Sequence, residues 1–68
     1  MTAERREQAR REGDLRAAVR AHEDALAAWG AAVTVGDAAA QRIAAVARDA
    51  AREAMDRAYR ANEAAVTS

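Results

Sequence analysis

The chain has 68 residues, about a third of them alanine, with no proline and no cysteine. Its 11 basic residues are all arginine and are balanced by 11 acids, for a formal net charge of zero. Disulfides and thiolate metal sites are excluded, no strong one-sign field favours nucleic acid, and helix is favoured throughout, because alanine is the best helix former and proline the worst.

Large apolar side chains are few: Leu15, Val19, Leu26, Trp29, Val33, Val35, Ile43, Val46, Met55, Tyr59 and Val66. A chain of this length with so small a core usually needs a disulfide, a metal or self-association to be stable. Without cysteine, and with a single histidine, self-association is the remaining common device. The arginine-only basic set reads first as codon bias, since a GC-rich genome favours both Ala and Arg codons.

The first predicted element is a helix over about residues 3–33. Leu15, Val19, His22, Leu26, Trp29 and Val33 recur at alternating spacings of four and three, a heptad seam on one helix face. A stripe of Ala18, Ala21, Ala25, Ala28 and Ala32 runs beside it. Glu7→Arg11 and Glu12→Arg16 are i,i+4 pairs in the favourable orientation. Gly13-Asp14 is the weak point, because it also fits a C-cap followed by an N-cap that would split the helix. One continuous helix is preferred, since continuing it loses no apolar contact.

The connection falls at about residues 34–37. Gly36 suits a left-handed position ending the first helix, and Asp37 before three alanines suits an N-cap. A rival placement makes Thr34 the cap. The second helix then covers about residues 38–66, with a predicted seam of Ile43, Ala47, Ala50, Ala54, Ala58, Ala61 and Ala65. Val46, Ala51, Met55, Tyr59, Asn62 and Val66 flank it, and Glu53→Arg57 and Asp56→Arg60 are further i,i+4 pairs.

The sequence thus predicts one all-α domain, an antiparallel hairpin of two long alanine-rich helices. Such a hairpin leaves part of each apolar face in water, so pairing into a homodimeric four-helix bundle is expected.

Chemistry-bearing residues are sparse. His22 lies on the seam without a second histidine, and reads as a polar residue that fixes register. Asp49, Glu53 and Asp56 share a face, but Arg52, Arg57 and Arg60 lie among them, as on a solvated, salt-bridged surface. The only serine is Ser68, and the threonines are Thr2, Thr34 and Thr67. No base–nucleophile pair, phosphate loop or cofactor box stands out, so neither an enzyme, nor a cofactor, nor a metal is expected. Arg5, Arg6, Arg10 and Arg11 form two basic doublets about one helical turn apart, interleaved with Glu4, Glu7 and Glu12. They carry the alternative reading of a small nucleic-acid-binding regulator.

Gly13-Asp14-Leu15, Ala18-Val19, His22 and Ala25-Leu26 resemble the second helix of a tetratricopeptide repeat, which would imply peptide binding in a groove. Arg5 and Arg6 stand where the preceding helix of that repeat carries an apolar and a small residue, and no second copy follows about 34 residues on. Ile43-Ala44-Ala45-Val46-Ala47 resembles the opening of a helix-turn-helix, but Arg48-Asp49-Ala50-Ala51 continues as helix where the turn belongs.

The expectation is therefore a helical interaction module that self-associates and docks on a protein partner. Leu15, Val19, Leu26, Trp29, Val33, Ile43, Val46 and Met55 are the expected packing and interface residues. An accessory subunit of a larger complex is a further alternative. No segment is apolar enough to span a membrane, and Met1 to Glu7 carry no secretory signal, so a cytoplasmic location is expected.

Overall fold

A computed structural model describes residues 2–67; Ser68 lies outside them. The chain forms two helices, α1 (Ala3–Val35) and α2 (Ala38–Thr67), folded back on each other. Both ends of the connection are built by local hydrogen bonds. Gly36 adopts a left-handed conformation at φ 78°, where an L side chain would be strained. Its N–H donates to the Val33 carbonyl at 3.1 Å, and the Asp37 N–H donates to the Ala32 carbonyl at 3.3 Å. This is the Schellman pattern, and it satisfies carbonyls that the helix end would leave bare. Asp37 then caps α2, its Oδ1 accepting the Ala40 N–H at 3.0 Å. Thr34 is not the cap: it lies within α1, and its hydroxyl donates to the Gly30 carbonyl at 2.9 Å. Helix α1 therefore ends two residues later than the apolar pattern suggested.

At the other end, the Thr2 hydroxyl caps α1 by accepting the Arg5 N–H at 3.2 Å. Helix α1 runs through Gly13 without a break, so the tandem cap at Gly13-Asp14 is not used and the helix–helix break of a tetratricopeptide repeat is missing there. A Cβ placed on Gly13 meets nothing within 4 Å. Gly13→Ala is accordingly expected to stabilise the hairpin by about 1 kcal/mol, through helix propensity alone. Thermal melts of the two chains check this, and an unchanged or lower midpoint would count against an unbroken α1.

The contact between the helices lies along one line of half-buried residues on each. On α1 these are Arg11, Leu15, Ala18, His22, Ala25, Trp29 and Ala32; on α2, Gln41, Ala44, Arg48, Ala51, Met55, Ala58, Asn62 and Ala65. Both lines alternate steps of three and four, the spacing that keeps one helix face turned to its neighbour. At the turn the register is set by Gln41, whose amide lies 3.5 Å from the Ala32 carbonyl. Towards the open end, Arg11 and Asp14 border one groove with Ala58 and Ala61.

Carried along the hairpin, this register sets large residues against small ones in both directions. Leu15, His22 and Trp29 of α1 come level with Ala58, Ala51 and Ala44 of α2. Met55, Arg48 and Gln41 of α2 come level with Ala18, Ala25 and Ala32 of α1. Alternation of large and small is how two facing helices fill the space between them.

The seam of α2 differs from the predicted one. Ala58 and Ala65 of the predicted seam do lie on the line of contact and Ala54 is half-buried, but Ala47, Ala50, Ala61 and Ile43 are exposed, and the line passes instead through Gln41, Arg48 and Asn62. On α1 the contact line takes alternate members of the bulky row and of the alanine stripe.

The molecule is elongated. Its principal extents are 51 × 20 × 12 Å and its radius of gyration is 15.5 Å, against about 11 Å for a compact domain of this length. Among the described residues none is buried.

Candidate functional site

Of the described surface, the apolar faces on either side of the helix–helix seam are the features with most to offer a partner. The eight expected interface residues divide among three places. Leu15, Trp29 and Met55 sit half-buried in the seam and hold the hairpin together. Val19, itself half-buried, and the exposed Leu26 and Val33 recur every seven residues along one flank of α1. Ile43, in one row with Ala47 and Ala50, and Val46 stand away from the seam on α2, 73% and 71% exposed.

The α1 flank forms half of a shallow groove. Leu15, Val19 and Tyr59 line it, with Arg16, Arg20 and Glu23 at its edge. Leu26 and Val33 continue this row toward the turn and are 43% and 44% exposed. The opposite flank carries Ala21 and Ala28 of α1, with Ile43, Ala47, Ala50 and Ala61 of α2, all exposed.

Near the closed end a polar contact ties the two helices. The Arg48 guanidinium lies 4.9 Å from the centre of the Trp29 ring and pairs with Asp49 at 3.2 Å. Attraction between a cation and the ring face is worth about 0.5–1 kcal/mol at a partly exposed site. Sequence reading placed Trp29 in the core but missed Arg48. The signal was present, since Arg48 falls on the unbroken three–four row from Gln41 to Ala65; its charge hid it.

The basic doublets are partly neutralised from within. Glu7 pairs with Arg10 and, at 3.8 Å, with Arg11. Arg11 is half-buried on the seam line, and its Nε lacks a hydrogen-bond partner. Arg5 and Arg6 are exposed. Of the other expected ion pairs, Glu12 accepts instead from Gln8 Nε2 at 3.1 Å. Glu53–Arg57 and Asp56–Arg60 are not formed among the described residues. Exposed pairs of this kind contribute little, and solvent competes for both partners.

The hydrogen bond from Arg10, and then the charges of Arg10 and Arg11, hold the Glu7 carboxyl below its ordinary pKa. The stability this adds is present above the ordinary carboxylate pKa, and is lost as pH falls through Glu7's lowered value. Acidification is expected to fray the first turns of α1, and Glu7→Gln to remove that part of the pH dependence. Amide exchange of residues 5–11 across the acid range checks it, and identical acid fraying in Glu7→Gln would count against the pairing.

His22 is half-buried in the seam. Among the described residues, no group of three or more His, Cys, Asp or Glu could hold a metal ion. No helix is long and apolar enough to cross a membrane. Comparison with protein-family models, with curated proteins and with solved structures finds no match for the chain.

Proposed function

We propose that the chain is a non-enzymatic helical interaction module that self-associates, two hairpins pairing as a four-helix bundle, and that docks on a protein partner in that form. One observation carries this reading. The hairpin exposes 5165 Å² and has no buried core among its described residues, where a compact monomer of this mass exposes about 4,100 Å². The excess of about 1,000 Å² per chain is comparable to the roughly 800 Å² that each partner contributes to a standard protein interface. Much of what is left in water is apolar: Leu26, Val33, Val35, Ile43, Val46, Tyr59 and Val66 are all exposed. Helix faces of this kind are covered by other helices.

The arginine doublets give less support to a nucleic-acid role, because Glu7 already engages Arg10 and Arg11.

Sedimentation equilibrium of the purified chain tests the proposal, together with melts at several concentrations. A dimer mass and a midpoint that rises with concentration are expected. A monomer at high micromolar concentration, melting sharply and independently of concentration, would overturn self-association.

A further inference from the structure

Two apolar faces flank the seam, and they differ in what they can meet. On one, Val19, Leu26 and Val33 form a row whose order is the same read in either direction. On the other, the α1 row is Asp14, Ala21, Ala28 and Val35, all exposed. A twofold axis through Leu26, perpendicular to the helices, sets Leu26 against its own copy and Val19 against Val33. Sliding the copies by one heptad toward the open end, so that Val19 meets itself, sets Leu26 against Glu12 and Val33 against Arg5. Apolar side chains would then face charges that lose water without gaining a partner. Among antiparallel registers of this row, only the Leu26-centred one matches all three apolar residues.

Resting on the self-association proposed above, we infer that a second copy of this chain docks antiparallel on the Val19–Leu26–Val33 face, with the dimer axis at Leu26. Charge supports the same arrangement. At the α1 rim, antiparallel copies centred at this level bring Arg16 of one copy beside Asp37 of the other; along α2 the same register sets Arg42 level with Arg52 and adds no such pair. Opposite charges on the rim fix register and orientation. The turns of the two hairpins point in opposite directions. The overlap covers the closed-end halves, residues 17–35 of α1 and 38–56 of α2. At 1.5 Å per residue it is about 28 Å long, on a slab 20 Å wide. This gives roughly 550 Å² in projection per copy, and more in accessible area over the corrugated helix surface, which is the scale a stable dimer needs. The first turns of α1 and the last of α2 stay outside the contact.

The absence of cysteine makes the test clean. Single-cysteine variants Leu26→Cys, Ile43→Cys, Val19→Cys and Val33→Cys are treated with a short thiol cross-linker, at a concentration where the unmodified chain sediments as a dimer. Leu26→Cys is expected to cross-link to itself efficiently and Ile43→Cys poorly. A mixture of Val19→Cys and Val33→Cys is expected to yield the mixed product in excess over either self-product. Ile43→Cys linking better than Leu26→Cys would overturn the face while leaving self-association standing. Excess of the Val19 and Val33 self-products would overturn the antiparallel register. If Leu26→Cys weakens assembly when reduced, the mixed pair decides the question. An unmodified chain that stays monomeric removes self-association and this inference together.

Discussion

Replacing Trp29 with alanine is expected to cost the hairpin about 2–4 kcal/mol, somewhat less than the roughly 3–5 kcal/mol of a fully buried tryptophan, because the ring is half-buried. Trp29 is the largest side chain in the seam, and it comes level with Ala44, whose methyl leaves room for the indole. Its loss opens a void that no neighbouring seam residue is large enough to fill. It also frees Arg48, which lies 4.9 Å from the ring centre. Since small domains have only a few kcal/mol of net stability, Trp29→Ala is expected to melt far below the parent or to be partly unfolded at room temperature. Far-ultraviolet circular dichroism through a thermal ramp measures this. Trp29→Phe separates the two contributions, since it keeps much of the volume and a ring face for the cation, and it is expected to recover most of the loss. A Trp29→Ala chain melting within a few degrees of the parent would mean that the seam does not hold the hairpin.

The second large effect distinguishes the observed α2 seam from the one the apolar pattern suggests. Ala51 lies on the observed line of contact and Ala50, next to it, is exposed. Aspartate has the same helix propensity at either position, so the comparison cancels that cost. Ala51→Asp sets a short carboxylate between the helices, where it cannot reach water as a longer side chain would. A loss of about 2–3 kcal/mol is expected for it, the penalty for partial burial of a charge. Ala50→Asp is expected to cost well under about 1 kcal/mol, as ordinary surface changes do. Equal losses, measured by urea unfolding, would place the seam elsewhere. The converse result, with Ala50→Asp the more damaging, would restore the row through Ile43, Ala47 and Ala50.

These two substitutions mark the boundary between what was local and what was not. The helices and the turn were legible because their determinants act within a few residues. Alanine content without proline favours helix at every position. Gly36 takes the left-handed conformation that ends α1, and Asp37 caps α2 through a bond to a residue three positions on. The continuity of α1 through Gly13 was only the preferred reading, since one glycine costs about 1 kcal/mol against a long helix while Gly13-Asp14 also fits a C-cap and an N-cap.

The rotation of each helix about its own axis was not legible. An alanine-rich helix offers several rows at three–four spacing, and composition ranks them by hydrophobicity alone. The row through Ile43 outranks the one through Gln41, Arg48 and Asn62 on that measure. Tertiary structure chose the second, because it sets alanines level with Leu15, His22 and Trp29, and long side chains level with Ala18, Ala25 and Ala32. Long polar side chains can lay their stems along a partner helix and keep their polar ends in water, so Gln41 and Arg48 serve at seam positions where sequence reading wanted apolar ones. That choice also decided which apolar residues were left over. Leu15, Trp29 and Met55 went into the fold, while Val19, Leu26 and Val33 remained on a flank and Ile43 and Val46 away from the seam on α2. The sequence by itself determined two helices and the turn at Gly36 and Asp37, through propensity and short-range hydrogen bonds. Only the tertiary structure decided which face closes the hairpin and which is left to meet another chain, because that depends on the fit of two surfaces at once.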